Sequence, residues 1–212
     1  MTGWQVDTLG SVRVAFAMAT AHEYGPALQR RIRPLITGVG PIEASLSVGI
    51  ALQRMARLPD LVVCLGSAGS RARTLGAVYQ VASVSWRDMD ASALGFPRGV
   101  TPFSNHPAII ALPLPIHGVP SATLSTGADV VTGEAYARIA ADMVDMETFA
   151  VWRACERFGV PMAGLRGISD GPSDVGGLLD WTALLGLLDI GLANAVDLLA
   201  QSLSEGGGTA FA

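Results

Sequence analysis

At 212 residues the chain is long enough for one compact domain, in which about 70% of the unfolded surface goes inside. Half of it is hydrophobic and only 15% is charged, against a usual share of about 25%, which points to a thick core, a buried subunit interface, or both. A net charge of −4, with 14 Lys and Arg scattered singly, offers no basic stripe for a phosphate backbone and argues against nucleic acid as a partner.

Asp7 and Arg13 interrupt the N-terminal run that a signal peptide needs, and no segment approaches about 18 uncharged apolar residues. A soluble cytoplasmic protein without membrane attachment is expected. The run "VRVAFAMA" from Val12 reads as a buried strand, and "HEYGPALQRRI" turns into a helix after it. "RPLITGVG" reads as a second strand ending in glycines. From Pro41 to Arg57 the period is ambiguous, since Leu46, Val48, Ile50 and Leu52 alternate as in a strand. Length and the Ala, Ser and Gly content favour a closely packed helix.

"PDLVVCLGSAGS" is the clearest strand and turn, and "GAVYQVASVSW" is another strand, followed by a long loop from Arg87 to Pro107. "SATLSTG" gives a further strand. Met146 to Phe158 is expected as a helix, stopped by Gly159 and Pro161. "MAGLRGIS" reads as a buried strand, and Leu184 to Leu203 as a closing helix. Strands alternating with helices imply an α/β fold, a central mixed sheet covered on both faces in three αβα layers. The expected organisation is one domain over residues 1–204 with a flexible tail over 205–212.

Cys64 and Cys155 lie inside apolar segments without Cys or His neighbours at zinc-site spacing, so both read as buried reduced thiols. His22, His106 and His117 have no partner at metal-ligand spacing, and no metal is expected. The acids are more telling. In "VDMETFAVWRACERFGVPMAGLRGISD" carboxylates stand at the front of an apolar helix, Asp145 and Glu147, and at the end of an apolar strand, Asp170. Locally, Asp145 reads as an N-cap, Glu147 as a first-turn acid favoured by the helix dipole, and Asp170 as a turn residue. All three also stand where α/β folds gather ligands, beyond the carboxyl ends of strands. The turn Gly66-Ser67-Ala68-Gly69 has backbone donors suited to an anion or a sugar, and the chain carries no GxxxxGK[ST] motif.

Taken in order, "GVGPIEASLSVGIAL", "PDLVVCLGSAGS", "RDMDASALGF", "LSTGADVV", the Met-Glu helix and the Ser-Asp strand end resemble the nucleoside phosphorylase and nucleosidase superfamily. The likeness is strongest to its 5′-methylthioadenosine/S-adenosylhomocysteine nucleosidases and runs from about Val12 to Leu203. It implies hydrolysis of the N-glycosidic bond of a purine nucleoside, with no metal or organic cofactor. Glu147 would bind ribose hydroxyls, Met146 would pack on the sugar, and Ser67, Ala68 and Gly69 would line its pocket. Asp170, held by Ser169, would protonate the purine. The resemblance also implies a homodimer, with Phe96 and Phe103 near the partner chain.

Such chemistry needs an acid at the departing base, anions near a ribose that becomes positive, and a carboxylate to activate water. Glu23 is the candidate for the last role, although it follows Met18 by five residues where the nucleosidases have an acid directly after that Met. Val130, followed by Val131, stands where they have an aromatic that stacks on adenine, and Arg87-Asp88-Met89-Asp90 replaces their usual His-Asp-Ala-Asp. The alternatives are a phosphorylase or futalosine-type hydrolase of the same superfamily, or a noncatalytic nucleoside-binding protein. Cys64 and Leu65 ahead of the glycine-serine turn supply no charge for phosphate, and Arg71 and Arg73 lie beyond it, so water is the expected acceptor.

Overall fold

The computed structural model describes residues 4–171 and 182–205. Its centre is made by the longest apolar runs: β2 (Val12–Met18), β4 (Leu61–Gly69) and β9 (Met162–Asp170). They lie side by side and parallel, with Val14 opposite Leu61 and Val62 opposite Met162. Both faces of these strands are covered, which explains why their sequences are continuously apolar where a one-sided strand would alternate.

Around this centre the sheet closes a circuit. β5 (Val78–Trp86) starts antiparallel to β9 and then runs parallel to β7 (Ser121–Thr126). β8 (Met143–Asp145) pairs with β7 and returns to β4 through the single pair Gly69 and Val144. The outer strands are β1 (Val6–Leu9) and β3 (Leu35–Ile36) on β2, and β6 (Ile109–Ala111) on β5.

One face is covered by α2 (Pro41–Gln53) and α3 (Thr148–Arg157), which bring Ala44, Val48, Leu52, Phe149 and Val151 to the sheet. The other is covered by α4 (Leu185–Glu205), with Leu192, Val196 and Leu199, and by α1 (Pro26–Gln29). The expected three-layer α/β fold with a mixed sheet is therefore the one observed. Among the described residues no helix is long and apolar enough to cross a membrane. Of the tail expected over 205–212, Glu205 still belongs to α4 and the rest lies outside the described residues.

Local expectations need correction in three places. The helix expected over "HEYGPALQRRI" is a 3-10 turn, Ala21–Glu23, and the single turn of α1, because Gly25 and Pro26 interrupt it. Asp189 of α4 accepts from the Ala27 and Leu28 amides at 2.8 and 2.9 Å, supplying the cap that the glycine lacks. The strand expected over "RPLITGVG" is only two residues long. The turn expected at Gly66 to Gly69 is instead the end of β4, whereas α2 is the helix expected, its alternation arising because its outward face is also apolar: Ile42, Leu46 and Ile50 are exposed.

Candidate active site

The carboxyl ends of β2, β4, β8 and β9 open into a cleft of about 270 Å³. Glu23, Ser67, Ala68, Gly69, Val130, Val131, Asp145, Met146, Glu147, Ser169 and Asp170 all line it, so every residue singled out as a candidate is brought to one place. Ala19, Thr20, Val39, Arg87, Asp129 and Val144 join them, none of which the sequence reading singles out as a site residue.

The organising residue on one side is Arg166, in the middle of β9 and 1% exposed. Its Nη2 donates to Asp145 Oδ2 at 2.8 Å and to Thr148 Oγ1 at 2.7 Å, and Nε donates to the same hydroxyl at 3.1 Å. Sequence reasoning passed over it, and the available signal was a lone charge inside the apolar run "MAGLRGIS". A buried guanidinium without a carboxylate is prohibitively costly, so that charge required an acid close by in the fold.

Asp145 is that acid. It ends β8, three residues before Thr148, where α3 begins in place of the predicted Met146. The N-cap expectation survives in its hydrogen bonds, since Asp145 Oδ2 accepts from the Glu147 and Thr148 amides at 3.2 and 2.8 Å. Its other oxygen accepts from Thr126 Oγ1 at 2.6 Å. With both oxygens engaged inside the protein, Asp145 orders the residues around it.

Glu147 and Glu23 have more to give. Glu147 is 7% exposed, and its Oε1 accepts from the Gly40 amide at 2.8 Å, at the start of α2. Burial, and next the nearby Asp145 carboxylate, push its pKa up to about 7, while Arg166 and the Gly40 amide oppose them. Glu23 is 6% exposed, and its Oε1 accepts from the Ser67 amide at 2.6 Å. Its Oε2 is buried and accepts no hydrogen bond from the described residues. The 3-10 turn after β2 thus returns the acid to the cleft despite its five-residue offset from Met18. Gly66 makes the approach possible: a Cβ there would lie 2.6 Å from Arg166 Nη1 and 2.9 Å from Glu23 Oε1.

Across the cleft stands Asp170, the last residue of β9. Ser169 Oγ donates to its Oδ1 at 2.5 Å, and Tyr136 Oη donates to its Oδ2 at 3.4 Å. The wall beside it is the segment after β7, where Val130 is 66% exposed and Val131 is buried against Tyr136 and Val144. Arg87 braces this wall, donating to the Ser125 and Asp145 carbonyls at 2.8 and 3.0 Å and to the Asp129 carboxylate at 2.9 Å. Arg73 pairs with Asp142 at 2.8 Å, and neither it nor Arg71 lines the cleft.

Known proteins show the same arrangement of elements. A 5′-methylthioadenosine/S-adenosylhomocysteine nucleosidase of Actinobacillus succinogenes is 30% identical over 154 residues, covering 64% of this chain and 66% of that relative, just under two thirds of its length. A futalosine hydrolase mutant of Helicobacter pylori superposes with a TM-score of 0.75 at 18% identity, covering 90% of this chain and 99% of the other. A methylthioadenosine/adenosylhomocysteine nucleosidase of Colwellia psychrerythraea, in complex with adenine, does so with a TM-score of 0.76 at 19% identity, covering 95% and 98%. At such identities these two structures speak for the fold. The family model for the phosphorylase superfamily matches residues 24–182, from just after Glu23 to beyond Asp170, and takes in every strand of the closed circuit: the chain belongs to that superfamily.

Proposed function

We propose that the chain hydrolyses the N-glycosidic bond of a purine nucleoside of the methylthioadenosine/adenosylhomocysteine type, releasing the base and a ribose derivative. The observation that carries this reading is the imbalance of buried charge. Three carboxyl groups, those of Glu23, Asp145 and Glu147, surround one guanidinium, that of Arg166, and Asp170 lines the same cleft, while the further acid Asp129 is paired with Arg87. An excess of fixed negative charge in a dry site favours a group that becomes positive, as ribose does when its bond to the base breaks.

In this mechanism Glu147 accepts from ribose hydroxyls through the oxygen that the Gly40 amide does not hold, and Met146 packs on the sugar. As C1′–N9 breaks, its electron pair moves into the purine, and Asp170 donates a proton to N7. Glu23, anchored by the Ser67 amide, accepts the proton of the water that bonds to C1′, and exchange with solvent resets both acids. Val130 and Val131 form an aliphatic wall for the base. The same negative surplus opposes a phosphate dianion at C1′, and with Arg73 committed to Asp142 the acceptor is water.

The exposed stripe Ile42, Leu46 and Ile50 on α2, with Leu94 and Phe103, supports a homodimer, and Phe96 and Phe103 stack edge to face at 5.5 Å in the loop assigned to the contact. Residues 1–204 act as one domain on this reading, in a cytoplasmic enzyme of nucleoside catabolism and methionine salvage. The test is base release from a panel of methylthioadenosine, adenosylhomocysteine, futalosine, inosine and adenosine, with and without phosphate. Release from the first two at a rate that phosphate leaves unchanged is the expected result. A strict need for phosphate, with ribose 1-phosphate as product, would assign the chain to the phosphorylases. Preference for futalosine would make the aliphatic wall the determinant of the base, and no release from any nucleoside would leave a binding protein.

A further inference from the structure

Tyr136 sits in a 3-10 turn, Gly133–Arg138, between β7 and β8. It is 3% exposed and packs with Val131 and Val144 in a small apolar cluster apart from the two main layers of the core. A tyrosine buried for packing alone leaves its hydroxyl stranded unless a partner is near. Here the hydroxyl is aimed at the carboxylate of Asp170, and the space for that meeting comes from Gly69. A Cβ on Gly69 would lie 2.3 Å from Tyr136 Oη, 2.6 Å from Asp170 Oδ2 and 3.2 Å from the Val144 side chain. Three separate segments therefore contribute to one contact: a missing side chain at the end of β4, a carboxylate at the end of β9, and a phenol from the turn behind the base wall.

We infer that Tyr136 is a positioning residue for Asp170, its hydroxyl holding one carboxylate oxygen while Ser169 holds the other, so that the acid faces the base in a single orientation. This rests on the reading of Asp170 as proton donor to the base. The phenol suits the task because its oxygen can donate to the carboxylate and accept from the carboxylic acid, keeping the contact through the proton transfer. Its own ionisation is pushed well above the ordinary range, by burial first and by the Asp170 charge next, so the hydroxyl keeps its proton throughout the working range. The other charged groups lining the cleft are Arg87, Asp129, Asp145, Glu147 and Glu23. Asp145 is saturated by Arg166, Thr126 and Thr148, and Arg87 is directed to Asp129 and to backbone carbonyls.

Tyr136→Phe keeps the ring and removes only the hydroxyl. The expected result is a fall in kcat of about three- to tenfold, the worth of one modest hydrogen bond, with KM within about twofold of the parent. The basic limb of the kcat profile moves to higher pH, because a donor to the charged form of the acid has gone. Gly69→Ala, which pushes the two groups apart with the hydroxyl still present, gives the same displacement of the limb. If the limb stays in place in both variants while only thermal stability drops, Tyr136 is a packing residue and the inference is overturned.

A second readout needs no turnover. With 3-fluorotyrosine incorporated, the fluorine resonance assigned to position 136 by its loss in Tyr136→Phe shifts with pH in the parent and ceases to do so in Asp170→Asn. An identical pH response in both proteins would overturn the contact itself. Failure of the parent to release base from any nucleoside, together with a fluorine response that Asp170→Asn removes, would cost the proposed reaction and leave the Tyr136–Asp170 pair standing.

Discussion

At the end of the cleft proposed to hold the sugar, Glu23, Asp145, Glu147 and Arg166 are each less than a tenth exposed and are held by an ion pair, by the hydroxyls of Thr126 and Thr148 and by backbone amides. At the end proposed to hold the base, Val130 is two-thirds exposed, and Asp129 reaches Arg87 from the surface. The first end is part of the sheet's interior, so its charges and the fold stand or fall together. The second is a loop wall leaning on the sheet, where residues can change without disturbing the core. A change at Val130, where the resemblance implies an aromatic in related nucleosidases, is of the kind this end permits.

The contrast breaks first at Arg166. Arg166→Met preserves the apolar stem but leaves Asp145, Glu147 and Glu23 buried without a counter-charge, and a loss of about 3–5 kcal/mol is expected in urea unfolding. Parental stability in that variant would mean that the sugar end does not depend on its guanidinium. Asp170→Asn should do the opposite, leaving urea unfolding within about 1 kcal/mol of the parent while kcat falls by about 10². Turnover within about threefold of the parent would show that another group supplies the proton.

Glu147→Gln falls between the two, and pH makes the comparison sharper. The carboxyl is held up to about 7 in the folded chain, against about 4.3 when unfolded, so between these values the unfolded chain has fewer protons bound. Stability contributed at low pH is then lost as pH rises through this window, by an amount on the order of 2 kcal/mol. Thermal melts at pH 4.5 and pH 8 should show the loss in the parent and a much smaller one in the variant, whose kcat/KM falls about tenfold. Equal pH dependence in both would place the titration elsewhere. The smallest effect is expected at the base wall from Gly127→Ala, whose Cβ would meet Arg87 Cζ at 2.4 Å. Displacing the brace should raise KM by about two- to threefold with urea unfolding near the parent's, and a loss of stability as large as that of Arg166→Met would erase the distinction between the two ends.

The same division governs what could be read from the sequence. β2, β4 and β9 were legible because a strand buried on both faces announces itself as a continuous apolar run. Glu147 and Asp170 were legible because charge is scarce and both stand at element boundaries. β8 was not, since three residues ahead of a helix carry too little pattern to separate strand from cap, and Asp145 serves in both. Arg166 and Tyr136 lay hidden because their partners are distant in sequence: Arg166 needs Asp145 from β8, and Tyr136 needs the gap left by Gly69. The helix expected across "HEYGPALQRRI" failed for a local reason, Gly25 and Pro26, which the apolar and basic residues around them outweighed in the pattern.

The closed circuit of strands bears on how the protein would fail under heat. Its joints are unequal: β4 and β9 are paired from Val62 to Gly69, whereas β8 meets β4 through one pair, Gly69 and Val144. The acids divide across that joint, with Asp145 and Glu147 on the β8 side and Asp170 and the Ser67 amide on the other. Parting the joint would strand the buried Arg166 guanidinium of β9 without Asp145, so this ion pair holds the weakest seam of the circuit closed. Warming should therefore end activity and melt the sheet in one transition, and activity lost well below the melt would show that the joint opens alone.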